Sequence, residues 1–84
     1  MWAVYLPHRV EKELLSSPST IQERLKEALE KLKQDPHPAG SKKLLGRLDC
    51  FRVRVGTYRV LYDVLSKEKS IVILKIGPRK DVYR

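Results

Sequence analysis

Apolar and polar residues alternate at the start of the chain, change to a helical period, and alternate again in the second half. Residues 1–6 predict a short strand, which Pro7 ends. Residues 8–15 carry apolar side chains at helical spacing and predict a short helix. A brief Ser-Ser-Pro link then leads into a second helix, so we expect the two helices to pack as an antiparallel pair.

The second helix has the clearest pattern in the chain. Ser17, just before Pro18, can cap its first amides, and Thr20 with Glu23 offers an alternative capping box. Its apolar residues form a single stripe: Ile21, Leu25, Ala28, Leu29 and Leu32. We expect this stripe to pack into the core in preference to binding a partner. A loop rich in Pro and Gly, residues 35–40, ends the helix.

Residues 51–62 predict a β-hairpin. Apolar and basic residues alternate on both sides of a Gly-Thr pair, and Gly56 can supply the positive φ of a type II′ turn. This register places Arg54 opposite Arg59, with Arg52 diagonal to Arg59. Like charges directly opposite each other destabilise a strand pair by up to about 1 kcal/mol, so three arginines on one face favour a bound anion. The alternative is that each guanidinium extends into water or pairs with a carboxylate elsewhere in the fold.

The last apolar segment, residues 71–76, predicts a strand that is covered on both faces and that Gly77-Pro78 ends. Together the patterns predict an α+β fold in the order strand, two helices, three strands. We expect a small antiparallel sheet with an N-terminal strand, a helix pair packed on one face, and an opposite face that is basic and open. A chain of 84 residues makes one domain, residues 1–84.

The positive charge lies in the second half of the chain. Residues 1–41 contain six basic and six acidic side chains, whereas residues 42–84 contain twelve basic and four acidic ones, so the net charge of +8 arises there. This asymmetry favours a polyanionic partner, most commonly nucleic acid. No apolar run approaches the roughly 20 residues of a membrane span. The single cysteine and the lack of a signal-peptide pattern predict a cytoplasmic protein without a membrane partner.

The two histidines of the sequence stand apart from other metal-ligating residues. We therefore expect His8 and His37 to be solvated, and we predict no metal site.

Three blocks of the chain resemble the RelE/ParE superfamily of type II toxins. They are Lys43-Leu44-Leu45-Gly46, then Phe51-Arg52-Val53-Arg54-Val55-Gly56-Thr57-Tyr58-Arg59-Val60-Leu61-Tyr62, and finally Arg79-Lys80-Asp81-Val82-Tyr83. The resemblance implies a compact toxin domain that pairs with a cognate antitoxin protein and uses no cofactor. In the RelE branch it implies cleavage of messenger RNA on the ribosome, through attack of a ribose 2′-hydroxyl on the adjacent phosphate. In the ParE branch it implies inhibition of DNA gyrase, and a third alternative is a member that binds RNA without cleaving it.

The resemblance also implies roles for individual residues. Arg59 and Arg79 match positions that bind the scissile phosphate or assist the leaving group, and Tyr83 matches a tyrosine of the same site. Arg52 and Arg54 stand where the type member of the RelE branch has lysines. Because arginine stays protonated, it cannot serve as a general base, and this role falls to Tyr83 or to no protein side chain. The predicted catalytic residues are Arg59, Arg79 and Tyr83, and the predicted RNA phosphate-binding residues are Arg52, Arg54, Lys43 and Lys80.

Overall fold

The computed structural model describes residues 1–44 and 49–78 of the chain. Its elements are β1 (Ala3–Tyr5), α1 (His8–Leu15), α2 (Ser19–Gln34), β2 (Lys42–Lys43), β3 (Cys50–Val55), β4 (Tyr58–Leu65), a 3₁₀ turn (Ser66–Glu68) and β5 (Ser70–Pro78). The predicted α+β order is confirmed. The structure adds one short strand, β2, between the Pro- and Gly-rich loop and the hairpin.

In the described part of the chain, five strands form one sheet in the order β1-β5-β4-β3-β2. Strands β2 to β5 pair with one another in antiparallel orientation, as predicted for the hairpin and the last strand. Strand β1 runs parallel to β5, with Ala3 paired to Ser70 and Tyr5 paired to Val72. The sheet is therefore mixed, and its antiparallel part contains the whole hairpin.

Both helices cover the same face of this sheet, as predicted. Helix α1 packs on β5, and α2 reaches from β1 to β3. The predicted stripe of α2 lies in the core, with Ile21, Leu25 and Leu32 buried and the remaining two residues half-buried against them. Burying an aliphatic side chain of this size stabilises the fold by about 1.5–3 kcal/mol relative to leaving it in water.

The start of α2 differs from both predicted caps. Pro18 occupies the N-cap position, and the helix has no side-chain cap. The Ser17 hydroxyl donates to the Leu14 carbonyl instead, at the buried end of α1. The Pro18 carbonyl accepts the Ile21 amide at 3.0 Å. Ser17 thus closes the first helix because the short link brings its hydroxyl within reach of that helix's last turn.

The hairpin has the predicted register. Val53 pairs with Val60 and Phe51 with Tyr62, and these side chains lie on the helix-covered face. Gly56 has a φ of +61°, and Lys69 is the single non-glycine residue with a positive φ in the described part of the chain. A positive φ at the first loop position alone is the signature of a type II′ turn.

The predicted break at Gly77-Pro78 is wrong, because β5 continues through Pro78, which pairs with Tyr58. The Ile76 amide points away from β4 and donates to Glu13 of α1 at 3.0 Å. Backbone groups alternate in direction along a strand, so the nitrogen of Pro78, two residues on, faces the same outer side. Proline therefore removes no hydrogen bond from the β4–β5 ladder.

Candidate nucleic-acid interface

The arginines of the hairpin share the sheet face opposite the helices. Arg54 lies opposite Arg59, and Arg52 lies opposite Leu61, so Arg52 and Arg59 are diagonal neighbours as predicted. Opposite residues of an antiparallel pair have Cα atoms only about 4.5–5.5 Å apart. Three guanidinium groups therefore extend from neighbouring positions of one small surface.

A groove with a volume of about 290 Å³ lies on this face. It is lined by Gly40, Lys42, Arg52, Arg54 and Arg59, and we call it the arginine groove. Four of these five described residues are cationic, and none of the five is acidic. Gly40 has a φ of +90° and open space where a Cβ would stand, so this part of the groove has no side chain. The groove has the charge and shape to accept an anion.

The lysine of the arginine groove is Lys42, whereas Lys43 was the predicted phosphate-binding residue. Strand β2 pairs Lys42 with Arg52 and Lys43 with Phe51. Paired residues project from the same face of a sheet, so Lys43 lies on the opposite face from the arginines. The structure therefore does not bring Lys43 into the groove. The sequence pattern missed Lys42 because its position depends on the pairing of β2 with β3.

The three arginines differ in exposure. Arg54 is exposed and Arg52 is half-buried, but Arg59 is only 8% exposed. Arg59 lies on an inner strand between Arg54 and Gly77, while the described residues place only the two-residue strand β2 beyond β3. The prediction of a basic and open face thus holds at Arg54 and is wrong at Arg59. Because water screens a buried charge less, Arg59 would attract a phosphate more strongly than an exposed arginine would.

Arg54 is held in place by the hairpin turn. Its Nε donates to the Gly56 carbonyl at 3.0 Å. The bond restricts the conformations of a long side chain, and less entropy is therefore lost when it binds an anion. An arginine that is fixed in this way is a better phosphate ligand than a freely rotating one.

The loop that leads to the groove is fixed by an aromatic cluster. The Tyr62 hydroxyl donates to the Pro36 carbonyl at 2.8 Å, and its ring stacks on Phe51 with centroids 6.0 Å apart. His37 of the same loop also packs against Phe51, with ring centroids 4.6 Å apart. His37 is exposed as predicted. Tyr62 therefore ties the loop that ends at Gly40 to the sheet.

Burial keeps the Tyr62 hydroxyl protonated. The residue is 0% exposed, and this burial raises the pKa of the Tyr62 phenol to about 12. At neutral pH the hydroxyl is a neutral donor. Its role is to position the loop, because it donates to a backbone carbonyl inside the core.

The predicted residues Arg79, Lys80 and Tyr83 lie outside the described residues, and their roles stay predictions. Within residues 1–44 and 49–78, no group of three or more His, Cys, Asp or Glu side chains could hold a metal ion. In the same part of the chain, no helix is long and apolar enough to cross a membrane.

Comparison with known proteins identifies the class of protein that this fold and groove define. The ParE toxin family of type II toxin–antitoxin systems matches residues 5–83. The chain therefore belongs to the RelE/ParE superfamily of type II toxins.

Individual relatives point to the RelE-like branch. The chain is 37% identical over 84 residues to RelE1, a candidate toxin of Methanocaldococcus jannaschii, with 96% of this chain and 93% of the relative covered. Its fold matches the archaeal RelE–RelB complex of Pyrococcus horikoshii with a TM-score of 0.83, at 37% identity and with 93% and 94% of the two chains covered. The isolated RelE toxin of E. coli matches with a TM-score of 0.82, at 26% identity and with 99% and 92% covered. The protein is thus a RelE-like toxin of the type II toxin–antitoxin class.

Proposed function

We propose that this toxin is a ribosome-dependent endonuclease that cleaves messenger RNA by attack of a ribose 2′-hydroxyl on the adjacent phosphate. The observation that carries the proposal is the arginine groove, which brings four cationic side chains together. The reaction passes through a phosphorane with additional negative charge, which preorganised cationic donors stabilise. Guanidinium groups suit this task because they bind two phosphate oxygens at once.

In this proposal the residues of the arginine groove have different roles, which follow from their exposure. Arg59, which is held at low exposure, stabilises the charge that develops on the scissile phosphate. Arg52 and Arg54, with Lys42, bind neighbouring phosphates and hold the RNA in register. Arginine does not lose its proton near neutral pH, so these residues act through charge and hydrogen bonding.

The proton-transfer roles in this proposal belong to the end of the chain. Arg79 assists the leaving oxygen, Lys80 binds phosphate, and Tyr83 handles the proton of the 2′-hydroxyl. Tyrosine is a poor base at its ordinary pKa of about 10, but neighbouring guanidinium groups would lower that pKa. In the alternative, no protein side chain acts as the base, and Tyr83 takes no proton from the 2′-hydroxyl.

The proposed partners are a cognate antitoxin protein, the ribosome and messenger RNA, and the proposed location is the cytoplasm. Similar folds occur in the RelE–RelB complex of Pyrococcus horikoshii and in the RelBE complex of E. coli, which supports an antitoxin partner for this chain. No cofactor is required, because guanidinium groups and a tyrosine supply the charge and the proton transfer.

A second candidate function is inhibition of DNA gyrase, favoured by the match to the ParE toxin family. A protein that binds RNA without cleaving it is a third candidate, since the described groove can bind phosphate without residues 79–83.

The deciding experiment is to express the chain and map the 5′ ends of translated messenger RNA, with a gyrase supercoiling assay on the purified protein in parallel. We expect new 5′ ends within open reading frames, absent when translation initiation is blocked, and unchanged supercoiling. Inhibited supercoiling without new 5′ ends would replace the nuclease with a gyrase inhibitor. Ribosome binding without new 5′ ends would identify the chain as a protein that binds RNA without cleaving it.

A further inference from the structure

A second cavity lies beside the arginine groove, between α2 and β3. Its volume is about 310 Å³, and its polar lining consists of Arg24, Glu27, Lys31 and Arg54. We call it the helix cavity. Three of these four side chains are cationic, and small apolar residues, among them Ala28, form the rest of the lining. The helix cavity thus combines residues of α2, from the neutral half of the chain, with residues of β3, from the basic half.

The helix cavity and the arginine groove are joined at Arg54, which lines both. Arg54 donates its Nε proton to the Gly56 carbonyl. From the helix side, Arg24 Nη1 lies 2.9 Å from the position that a Cβ on Gly56 would occupy. Two guanidinium groups thus converge on one glycine of the hairpin turn. Because Gly56 has no side chain, Arg24 can approach this closely.

Ion pairs between described residues do not account for this convergence. In the part of the chain that the structure describes, Arg24, Lys31 and Arg54 form no salt bridge with a carboxylate. All three are exposed, and Glu27 can balance the charge of only one of them. Uncompensated like charges that are held close together repel one another, and an anion bound between them would remove the repulsion.

We propose that Arg24, Lys31 and Arg54 bind phosphates of the RNA backbone, so that the RNA passes from the arginine groove over the hairpin turn onto helix α2. The inference rests on the proposed function and extends it with a second binding site, outside the groove that holds the scissile phosphate. The shared Arg54 favours RNA over an acidic protein, because one continuous polyanion can occupy both cavities. The apolar lining around Ala28 gives the sugar or base an apolar surface beside the bound phosphates.

The test compares two double variants of helix α2 that lose the same charge. Arg24→Gln with Lys31→Gln removes the two cations that α2 contributes to the helix cavity and leaves Arg54 in place, while Lys26→Gln with Lys33→Gln removes two cations that do not line it. Binding to a single-stranded RNA oligonucleotide and to vacant ribosomes is measured over a range of salt concentrations. Each phosphate contact contributes about 0.7 to the slope of log K against log salt concentration for a single strand. We expect the first variant to lower this slope by about 1.4 and the second to change it little.

The outcomes separate this inference from the proposed function. A lowered slope on the oligonucleotide assigns the helix cavity to messenger RNA, and a lowered slope on ribosomes alone assigns it to ribosomal RNA; both support the site. Equal slopes for the two double variants refute the site even if the wild-type protein cleaves messenger RNA. A lowered slope in a protein that never cleaves keeps the site and refutes the nuclease. Weaker binding of antitoxin alone refutes the site for RNA, and a wild-type protein that binds neither RNA nor ribosomes refutes both proposals.

Discussion

At the scale of single residues, the proposed chemistry depends on Arg79 and Tyr83. We expect Arg79→Ala to slow cleavage of translated messenger RNA about a hundredfold to a thousandfold, the usual cost of losing one donor to a developing oxyanion. Tyr83→Phe removes only the hydroxyl and should cost about a hundredfold or more if that oxygen transfers a proton. Rates are measured on ribosomes programmed with a defined message.

The two histidines are the matched controls for this experiment. His8 and His37 are both exposed, and His37 contacts Phe51 on the helix-covered side of the sheet, away from the arginines. His8→Ala and His37→Ala should leave cleavage nearly intact. A folded Tyr83→Phe protein with the full rate would make the tyrosine a packing residue. Full toxicity of Arg79→Ala would favour the gyrase inhibitor.

Tyr62 stabilises the fold through a buried hydrogen bond to the Pro36 carbonyl. In Tyr62→Phe the Pro36 carbonyl loses its donor inside the core, which should lower the free energy of unfolding by about 1–3 kcal/mol. Urea denaturation measures this loss. Tyr5→Phe is the control, because Tyr5 is 57% exposed and should change stability by no more than about 0.5 kcal/mol.

The same variant carries a pH signature. Burial raises the pKa of Tyr62 to about 12 in the folded protein, while an unfolded tyrosine has a pKa of about 10. The stabilisation is therefore complete below pH ~10 and falls as the pH rises toward ~12, by up to about 1.4 kcal/mol per pH unit. The stability difference between wild type and Tyr62→Phe should accordingly narrow above pH ~10. A difference that stays constant up to pH ~11 contradicts this account.

The sequence predicts that the arginines share one face of the hairpin, because local features of the chain determine this arrangement. A Gly-Thr turn sets the register of the hairpin, and alternation then places Arg54 and Arg59 opposite each other. Lys42 and the burial of Arg59 depend on which strands lie beside β3 and β4, and strand order is set by packing over the whole sheet. The charged residues of α2 in the helix cavity depend in the same way on how the helix lies over β3.

At the scale of elements, α1 protects the part of the outer edge of β5 that β1 does not cover. Strand β1 pairs with the first residues of β5, Ser70 to Val72. Beyond them, Arg9 donates to the Leu74 carbonyl at 3.0 Å, and Glu13 accepts the Ile76 amide at 3.0 Å. These two side chains satisfy backbone groups that would otherwise be open to pairing with another chain.

Glu13→Ala should therefore both destabilise the protein and expose an edge. The Ile76 amide loses its acceptor, and the contact between Lys75 Nζ and the carboxylate at 3.4 Å is lost. We expect the free energy of unfolding to fall by about 1–3 kcal/mol and aggregation on heating to increase. Chemical denaturation and light scattering measure the two effects. Glu11→Ala is the control, because Glu11 is exposed and its carboxylate lies 3.7 Å from His8. Equal behaviour of the two variants would contradict the role of Glu13.

The elements themselves follow from sequence patterns, but their ends do not. Both helices and the three main strands lie where the periodicity of the chain predicts them. The break at Gly77-Pro78 fails because a proline nitrogen on the outer side of a strand costs no hydrogen bond. The cap predicted at Ser17 fails because its hydroxyl donates to the Leu14 carbonyl of α1 and leaves α2 without a side-chain cap.

At the scale of the whole molecule, charge and fold point to the same surface. The second half of the chain carries the entire net charge of +8, and its hairpin contributes three of the four cations of the arginine groove. Lys42 comes from the same half, while α2 supplies two of the three cations of the helix cavity and the hairpin supplies the third, Arg54. A partner that inhibits this toxin by covering the arginine groove must therefore bring negative charge, and its binding must weaken with salt.

Two single variants test whether the antitoxin covers the arginine groove. Arg54→Gln removes an exposed cation from the groove, and Lys12→Gln removes one from the solvent-exposed side of α1. If an acidic antitoxin segment occupies the groove, Arg54→Gln should weaken antitoxin binding and RNA binding together and lower the salt dependence of both, while Lys12→Gln should change neither. The two affinities are measured with a neighbouring small acidic protein, co-expressed as the candidate antitoxin, and with RNA.

An antitoxin that binds Arg54→Gln as tightly as the wild type, at every salt concentration, neutralises the toxin from another surface. Its inhibition would then act by blocking entry to the ribosome, because the groove itself would stay open to RNA.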